Sequence, residues 1–192
     1  MPDPDLGRTL LALARGAIGA ELGFRDVHGI VWHSALDEAG ASFVTLRQEG
    51  DLRGCIGSLE ARRRLAADVR ANAVTAAFRD PRFLPLSSRE FGAITVEVSL
   101  LSAHEPLAFD DEEHLLRLLR PGIDGVVLQA GHHRATFLPQ VWETLPEPRT
   151  FIAALKEKAG LNGRTRRPGM RVARYTVSKW SEDEFATQRM RA

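Results

Sequence analysis

Cys55 is the only thiol of the chain, and it stands inside Leu52-Arg53-Gly54-Cys55-Ile56-Gly57. A cation close to a cysteine favours the thiolate, which is the nucleophilic and metal-binding form. Arg53 and Cys55 are therefore a candidate pair for covalent chemistry, with Cys55 as the candidate catalytic residue. On an ideal strand the two side chains share a face, whereas a bulge at the glycine turns one of them away. Both arrangements fit the spacing. Gly54 and Gly57 lack a Cβ and so permit close approach of a backbone or a ligand, which makes them candidate substrate-binding positions beside Arg53. The competing reading is structural, because free cysteine often serves as a small buried hydrophobe.

Two further groups could line a site. Asp80-Pro81-Arg82-Phe83 places a carboxylate, a planar guanidinium and a ring on a stretch stiffened by Pro81 and Pro85, and arginine's fork suits carboxylate or phosphate. Asp80 and Arg82 could equally pair with each other or cap the preceding helix. Gln140 and Trp142 follow Pro139 and offer an amide and an aromatic wall, or else an anchor that buries the large apolar area of tryptophan in a core. The six histidines show no familiar ligand spacing, His132 and His133 being adjacent on a turn, so no metal and no cofactor is expected. Neither a nucleotide-binding glycine fingerprint nor a Gly-x-Ser-x-Gly elbow occurs.

The elements that must position these residues are legible from periodicity. Leu6, Leu10, Leu13, Ala14, Ala17 and Ile18 form one face of a helix from about Asp5 to Leu22, opened by acidic Asp3 and Asp5. Between Gly23 and Ala39 the pattern is ambiguous, with Trp32 and Leu36 able to pin it to a core. Ala41 to Arg47, a turn at Glu49-Gly50-Asp51 and Leu52 to Ile56 predict a β-hairpin with Cys55 on its second strand. An alanine-rich helix follows from about Arg64 to Arg79, and its small residues suggest close packing on a sheet. Asp80 to Leu86 is a proline-braced loop, and Ile94 to Leu100 alternates as a strand. A short helix over Asp111 to Leu119, a second hairpin from Gly125 to Leu138, a helix over Pro148 to Ala159 and one final strand from Val172 to Lys179 complete the order. The absence of βαβ alternation predicts an α+β fold with antiparallel sheets flanked by helices.

Charge narrows the partners. With 26 Lys+Arg against 25 Asp+Glu, the molecule has no global field for nucleic acid or an anionic membrane. Two arginine runs, Arg62-Arg63-Arg64 and Arg164, Arg166, Arg167, Arg171 and Arg174, are either solvated surface or a local patch for RNA or an acidic protein. No apolar stretch approaches the roughly 20 residues of a membrane span, and no charged-then-apolar leader precedes the first helix. A cytoplasmic location is expected.

Six segments in order, Phe43-Val44-Thr45-Leu46, Leu52 to Gly57, Asp80 to Phe83, Val96-Glu97-Val98-Ser99, Phe137 to Trp142 and Leu155 to Leu161, resemble the AMMECR-type family. Its bacterial members are called AmmeMemoRadiSam system protein A. The resemblance covers about residues 6 to 180. It implies one AMMECR-type domain over residues 1–192 built of two interleaved lobes, a larger one from both chain ends and a smaller one from the middle, with a cleft between them. It also implies action beside a Memo-like protein and a radical S-adenosylmethionine protein, in a redox or modification pathway. The Leu52 to Gly57 segment would then line a site that binds or presents a small-molecule substrate, with Asp80, Arg82, Phe83, Gln140 and Trp142. The alternative is a non-catalytic adaptor for protein or RNA that uses the arginine runs. The pattern departs from the family after Leu161, where a tryptophan is expected and Asn162 to Gly169 stand instead.

Overall fold

A computed structural model describes residues 2–24, 31–161 and 169–189. In chain order the elements are α1 (Pro4–Glu21), β1 (Ala39–Gln48), β2 (Asp51–Gly57), β3 (Arg63–Arg64), α2 (Leu65–Phe78), β4 (Ile94–Leu101), β5 (Glu105–Leu107), α3 (Glu112–Leu118), β6 (Gly125–Ala130), β7 (His133–Phe137), α4 (Pro148–Lys158), β8 (Arg171–Tyr175), β9 (Val177–Ser181) and α5 (Glu182–Arg189). The fold is α+β, with antiparallel pairing along its ladders. The chain forms two compact units, one from Met1–Leu101 with Ser178–Ala192 and the other from Ser102–Val177.

The first unit holds a five-stranded sheet in the order β2-β1-β4-β9, with β3 pairing to the start of β1. Alternation along β1 and β4 sends Val44, Leu46, Ile94, Val96 and Val98 into a core shared with Leu10, Leu13 and Ile18 of α1 and Val69, Ala73 and Ala76 of α2. Helix α1 begins where the Asp3 carboxylate accepts from the amides of Asp5 (2.9 Å) and Leu6 (3.3 Å), with Pro4 as its first residue. That cap satisfies donors which the helix itself leaves unpaired. Leu36 is buried as expected, but Trp32 is 61% exposed and does not pin its segment to the core.

The second unit holds a four-stranded sheet in the order β5-β8-β6-β7. Val126, Leu128 and Val172 pack in its core with Leu115 of α3 and Phe151, Ile152 and Leu155 of α4. Gly160, at φ +72°, follows the C-terminal end of α4 in the left-handed region open to glycine. In the second hairpin only Gly131 and His132 separate β6 from β7.

The single final strand expected from alternation is in fact two, β8 and β9, and they belong to different sheets. At Thr176 the main chain leaves one ladder: its N–H donates to Ser102 Oγ (3.0 Å) and its carbonyl accepts from the Ser102 amide (2.9 Å). The period-2 pattern runs on through this break because each strand has one face inward, so hydropathy alone carries no mark of the change of sheet.

Candidate functional site

Strand β2 is the outer strand of its sheet, and its register explains where its side chains go. Cys55 faces Thr45 and Gly54 faces Leu46, but Leu52 already faces Arg47. Arg53 is therefore the extra residue of a bulge, which resolves the geometry that spacing alone leaves open. Its guanidinium donates through Nε to Glu90 Oε1 (2.9 Å) and the side chain is only 14% exposed. Arg53 Nη1 is buried with no acceptor among the described residues. An orphaned donor of this kind carries a desolvation cost that an incoming acceptor oxygen removes.

The main chain of Cys55 is fixed from the open side of the strand. Its amide donates to Asp80 Oδ2 (2.9 Å) and its carbonyl accepts from Arg82 Nη2 (3.1 Å). Asp80 and Arg82 are joined to each other by Arg82 Nε to Oδ1 (3.0 Å) and Nη2 to Oδ2 (2.7 Å). The pair thus supplies one acceptor and one donor where a neighbouring strand would, which closes the edge of the sheet at Cys55. Phe83 has two guanidinium groups near its ring, that of Arg53 5.9 Å and that of Arg82 5.5 Å from the centroid. The loop is pinned further by the Leu86 amide on Ala77 O (2.8 Å) and by the Ser87 amide and hydroxyl on Glu90.

The thiol itself is half-exposed, and Thr45 Oγ1 donates to its Sγ at 3.2 Å. Arg82 is held above its ordinary pKa chiefly by its hydrogen bond to Asp80, and the charge of Cys55 contributes in the same direction. Arg82, whose Nη2 stands 3.1 Å from the Cys55 carbonyl oxygen, is a cation held beside this residue.

Both carboxylates of the loop titrate low. The hydrogen bond from Arg82 holds Asp80 well below the usual carboxylate range, helped by the Cys55 amide and opposed by desolvation. Glu90 is lowered to about 2, first by Arg53 and then by Ser87. A group depressed in the folded state stabilises it above the unfolded pKa, roughly 4 for these side chains, and loses that contribution as pH falls through the folded value. The Cys55 amide resonance should therefore stay fixed while pH is lowered through about 4 and move only in stronger acid. An NMR titration in which it moves near pH 4 would show that Asp80 does not hold it.

The two glycines have packing reasons. A Cβ on Gly54 would stand 2.3 Å from the Ala76 carbonyl oxygen of α2, and one on Gly57 would stand 2.2 Å from the Phe43 ring. Of the remaining expected site residues, Arg53, Asp80, Arg82 and Phe83 gather around Cys55, whereas Gln140 and Trp142 belong to the second unit. Trp142 is 3% exposed, stacks on Phe151 with centroids 3.7 Å apart and donates from Nε1 to Asp124 O (2.7 Å), all within that unit's core. Gln140 is exposed.

One polar cluster escaped the reading of the sequence. Asp68 is buried on α2, and its carboxylate accepts from the Ser42 amide (2.9 Å) and hydroxyl (2.7 Å), Ser58 Oγ (2.8 Å), Arg63 Nε (2.9 Å) and Asn72 Nδ2 (2.9 Å). Ser58, Arg62, Arg63 and Asp68 also line a groove of about 490 Å3 beyond the end of β2. The available signal was Asp68 and Asn72 four residues apart among alanines, a spacing that puts both on one helix face.

The described arginines of the two runs are mostly compensated: Arg62 by Glu60, Arg63 by Asp68, Arg64 by Asp37 and Arg174 by Glu105. Arg164, Arg166 and Arg167, and the insertion from Asn162, lie outside the described residues. Among the described residues, no three His, Cys, Asp or Glu side chains are grouped to hold a metal, and no helix is long and apolar enough to cross a membrane.

An α+β chain of two antiparallel units, with a glycine-flanked cysteine on an edge strand closed by an Asp-Pro-Arg-Phe loop, defines the class of protein. The AMMECR1 family model matches residues 11–180, and the chain belongs to that family. Protein LS215_2104 of Saccharolobus islandicus strain L.S.2.15 is 36% identical over 164 residues, 82% of this chain and 72% of that protein. A protein of Methanothermobacter thermautotrophicus is 36% identical over 166 residues, 82% of this chain and 83% of its own length. The crystal structure of the uncharacterized protein PH0010 from Pyrococcus horikoshii superposes with a TM-score of 0.71 at 29% identity, covering 92% of this chain and 91% of that one.

Proposed function

We propose that the protein binds a small polar substrate at the Cys55 edge of its first unit and holds it for reaction or transfer. The observation that carries this reading is a half-exposed thiol whose main chain is locked by Asp80 and Arg82. A reactive group held in one geometry is what preorganised chemistry requires. Arg53 Nη1 is a donor without an acceptor among the described residues, but it is buried, so a carbonyl or anionic oxygen of the substrate engages it only when the wall shifts, and Phe83 forms part of that wall beside the two cations. On the family resemblance, the protein works in the cytoplasm beside a Memo-like protein and a radical S-adenosylmethionine protein, in a redox or modification pathway.

The test is alkylation of the full chain by iodoacetamide, followed by intact mass. Cys55 should react faster at neutral pH than the thiol of an unstructured peptide carrying the same hexapeptide, and Arg82→Gln should bring the rate down toward the peptide's. A folded-state rate below the peptide's, with pathway activity unchanged in Cys55→Ser, would remove the nucleophilic role. The adaptor reading has weaker support, because the arginines it needs are largely ion-paired where they are described. RNA affinity that falls steeply with salt would restore it.

A further inference from the structure

We propose that the loop from Arg79 to Arg89 is a docking loop, which seats Leu84 in an apolar pocket rimmed by carboxylates on a partner protein. Leu84 is 84% exposed, the most exposed of the large hydrophobic side chains in the described residues. Two nearby apolar side chains are covered where it is not: Leu86 is buried, and Phe83 is half-buried beside Arg53 and Arg82. The chain has no freedom to tuck Leu84 away in the same manner. Pro81 and Pro85 fix their φ angles, the Asp80–Arg82 pair grips β2, Glu90 grips Arg53, and the Leu86 amide is tied to α2. A solvent-facing leucine on a segment braced at this many points loses little conformational freedom on binding, which is the condition for a preformed anchor.

The charge around the anchor selects the kind of surface it fits. The loop's one acid, Asp80, is buried against Arg82, and Glu90, which follows the loop directly, is drawn to Arg53 and Ser87. Arg79 and Arg89 are exposed, and neither has a carboxylate partner among the described residues, while half of the Arg82 side chain faces solvent. Arg79 and Arg89 are five residues to either side of Leu84, hence within roughly 17 Å of it even for a fully extended chain. The exposed leucine thus has an exposed cation on either side of it along the chain, and the complement of such a segment is an apolar pocket with an acidic rim. A bilayer is the weaker match, because a single myristoyl chain gives only marginal attachment and one leucine buries far less. RNA is weaker too, since the loop offers one aromatic ring, and that ring already has the Arg53 and Arg82 guanidinium groups 5.9 and 5.5 Å from its centroid.

The surface goes beyond the substrate site and can be tested without it. Leu84 of the full chain is replaced by the photo-cross-linker p-benzoylphenylalanine, the protein is irradiated in host-cell lysate, and the adduct is identified. The partner is then purified and titrated against the wild type, Leu84→Ser and Arg79→Glu/Arg89→Glu. The expected result is a protein adduct and a Kd at least tenfold weaker for each variant, with reversal of the partner's rim acids to arginine restoring binding to the glutamate variant. Leu84→Ser should melt with the wild type, since the side chain it removes is solvent-exposed, so a loss of affinity reports docking. Cross-links to phospholipid or nucleic acid alone, no specific adduct, or a Kd unchanged in both variants would each overturn the proposal. Cys55→Ser should leave the Kd unaltered, which separates failure of this surface from failure of the substrate site.

Discussion

Gly54→Ala should destabilise the protein by about 2–3 kcal/mol, although it adds a single methyl group. Glycine in a strand ordinarily costs stability through its unfolded-state freedom, so alanine gains roughly 0.5–1 kcal/mol where there is room. At Gly54 there is none, because the new Cβ would stand 2.3 Å from the Ala76 carbonyl oxygen and 3.1 Å from its carbon. Neither atom belongs to a side chain that can rotate aside. Relief requires α2 to shift or β2 to swing outward, and the second course pulls Cys55 off Asp80. Gly92→Ala is the control: no atom lies within 4 Å of its Cβ and its φ is not positive, so it should fall within about 0.5 kcal/mol of the wild type. Urea denaturation decides the matter, and a Gly54→Ala midpoint equal to that of the control would refute the close approach of β2 to α2.

Asp68→Ala should cost about 3–5 kcal/mol, the range for removing one partner of a buried ionic network. Its carboxylate gathers donors from β1 (Ser42), from Ser58 beyond β2, from Arg63 and from the next turn of its own helix (Asn72). Alanine would leave the Ser42 amide and Asn72 buried without this acceptor, while Arg63, 45% exposed, can turn to water. Asp68→Asn keeps the size and one acceptor but sets an amide N–H2 against donors, so its cost should be intermediate. Because Ser42 shares the network, Asp68→Ala and Ser42→Ala should be non-additive. A loss under 1 kcal/mol for Asp68→Ala, measured by denaturant unfolding, would mean that water replaces the carboxylate freely.

What the sequence disclosed, and what it withheld, divides along the range of the interactions. The Asp3 cap and the apolar stripe of α1, the Glu49-Gly50-Asp51 turn and the alanine face of α2 are written within one or two turns of chain, so their periods report them. The bulge at Arg53 is different, since it is defined by Arg47 facing Leu52 across the hairpin, and no property of β2 alone sets that register. Asp80 and Arg82 were recognisable as a loop pair, but their partner is the main chain of Cys55, twenty-five residues away, and a backbone group leaves no trace in composition. The Asp68 cluster was missed for the same reason, two of its donors being serines that look like ordinary strand and loop residues. Trp142 shows the reverse case: both of its readings use the same aromatic surface, and only the stacked Phe151 and the Asp124 carbonyl distinguish an anchor from a wall.

The division of the chain's last strands between two sheets also sets a timetable for synthesis. Strand β9 carries Trp180, whose indole lies across Gly7 of α1 so closely that a Cβ there would meet it at 2.2 Å. Every other strand of that sheet is made before Ser102, yet Trp180 emerges only after the whole of Ser102–Val177 has been translated. At about 5–20 residues per second, that delay is roughly 4 to 15 s. For that interval the nascent first unit leaves β4 an unpaired edge and the Gly7 face of α1 uncovered, the kind of surface through which incomplete chains associate wrongly.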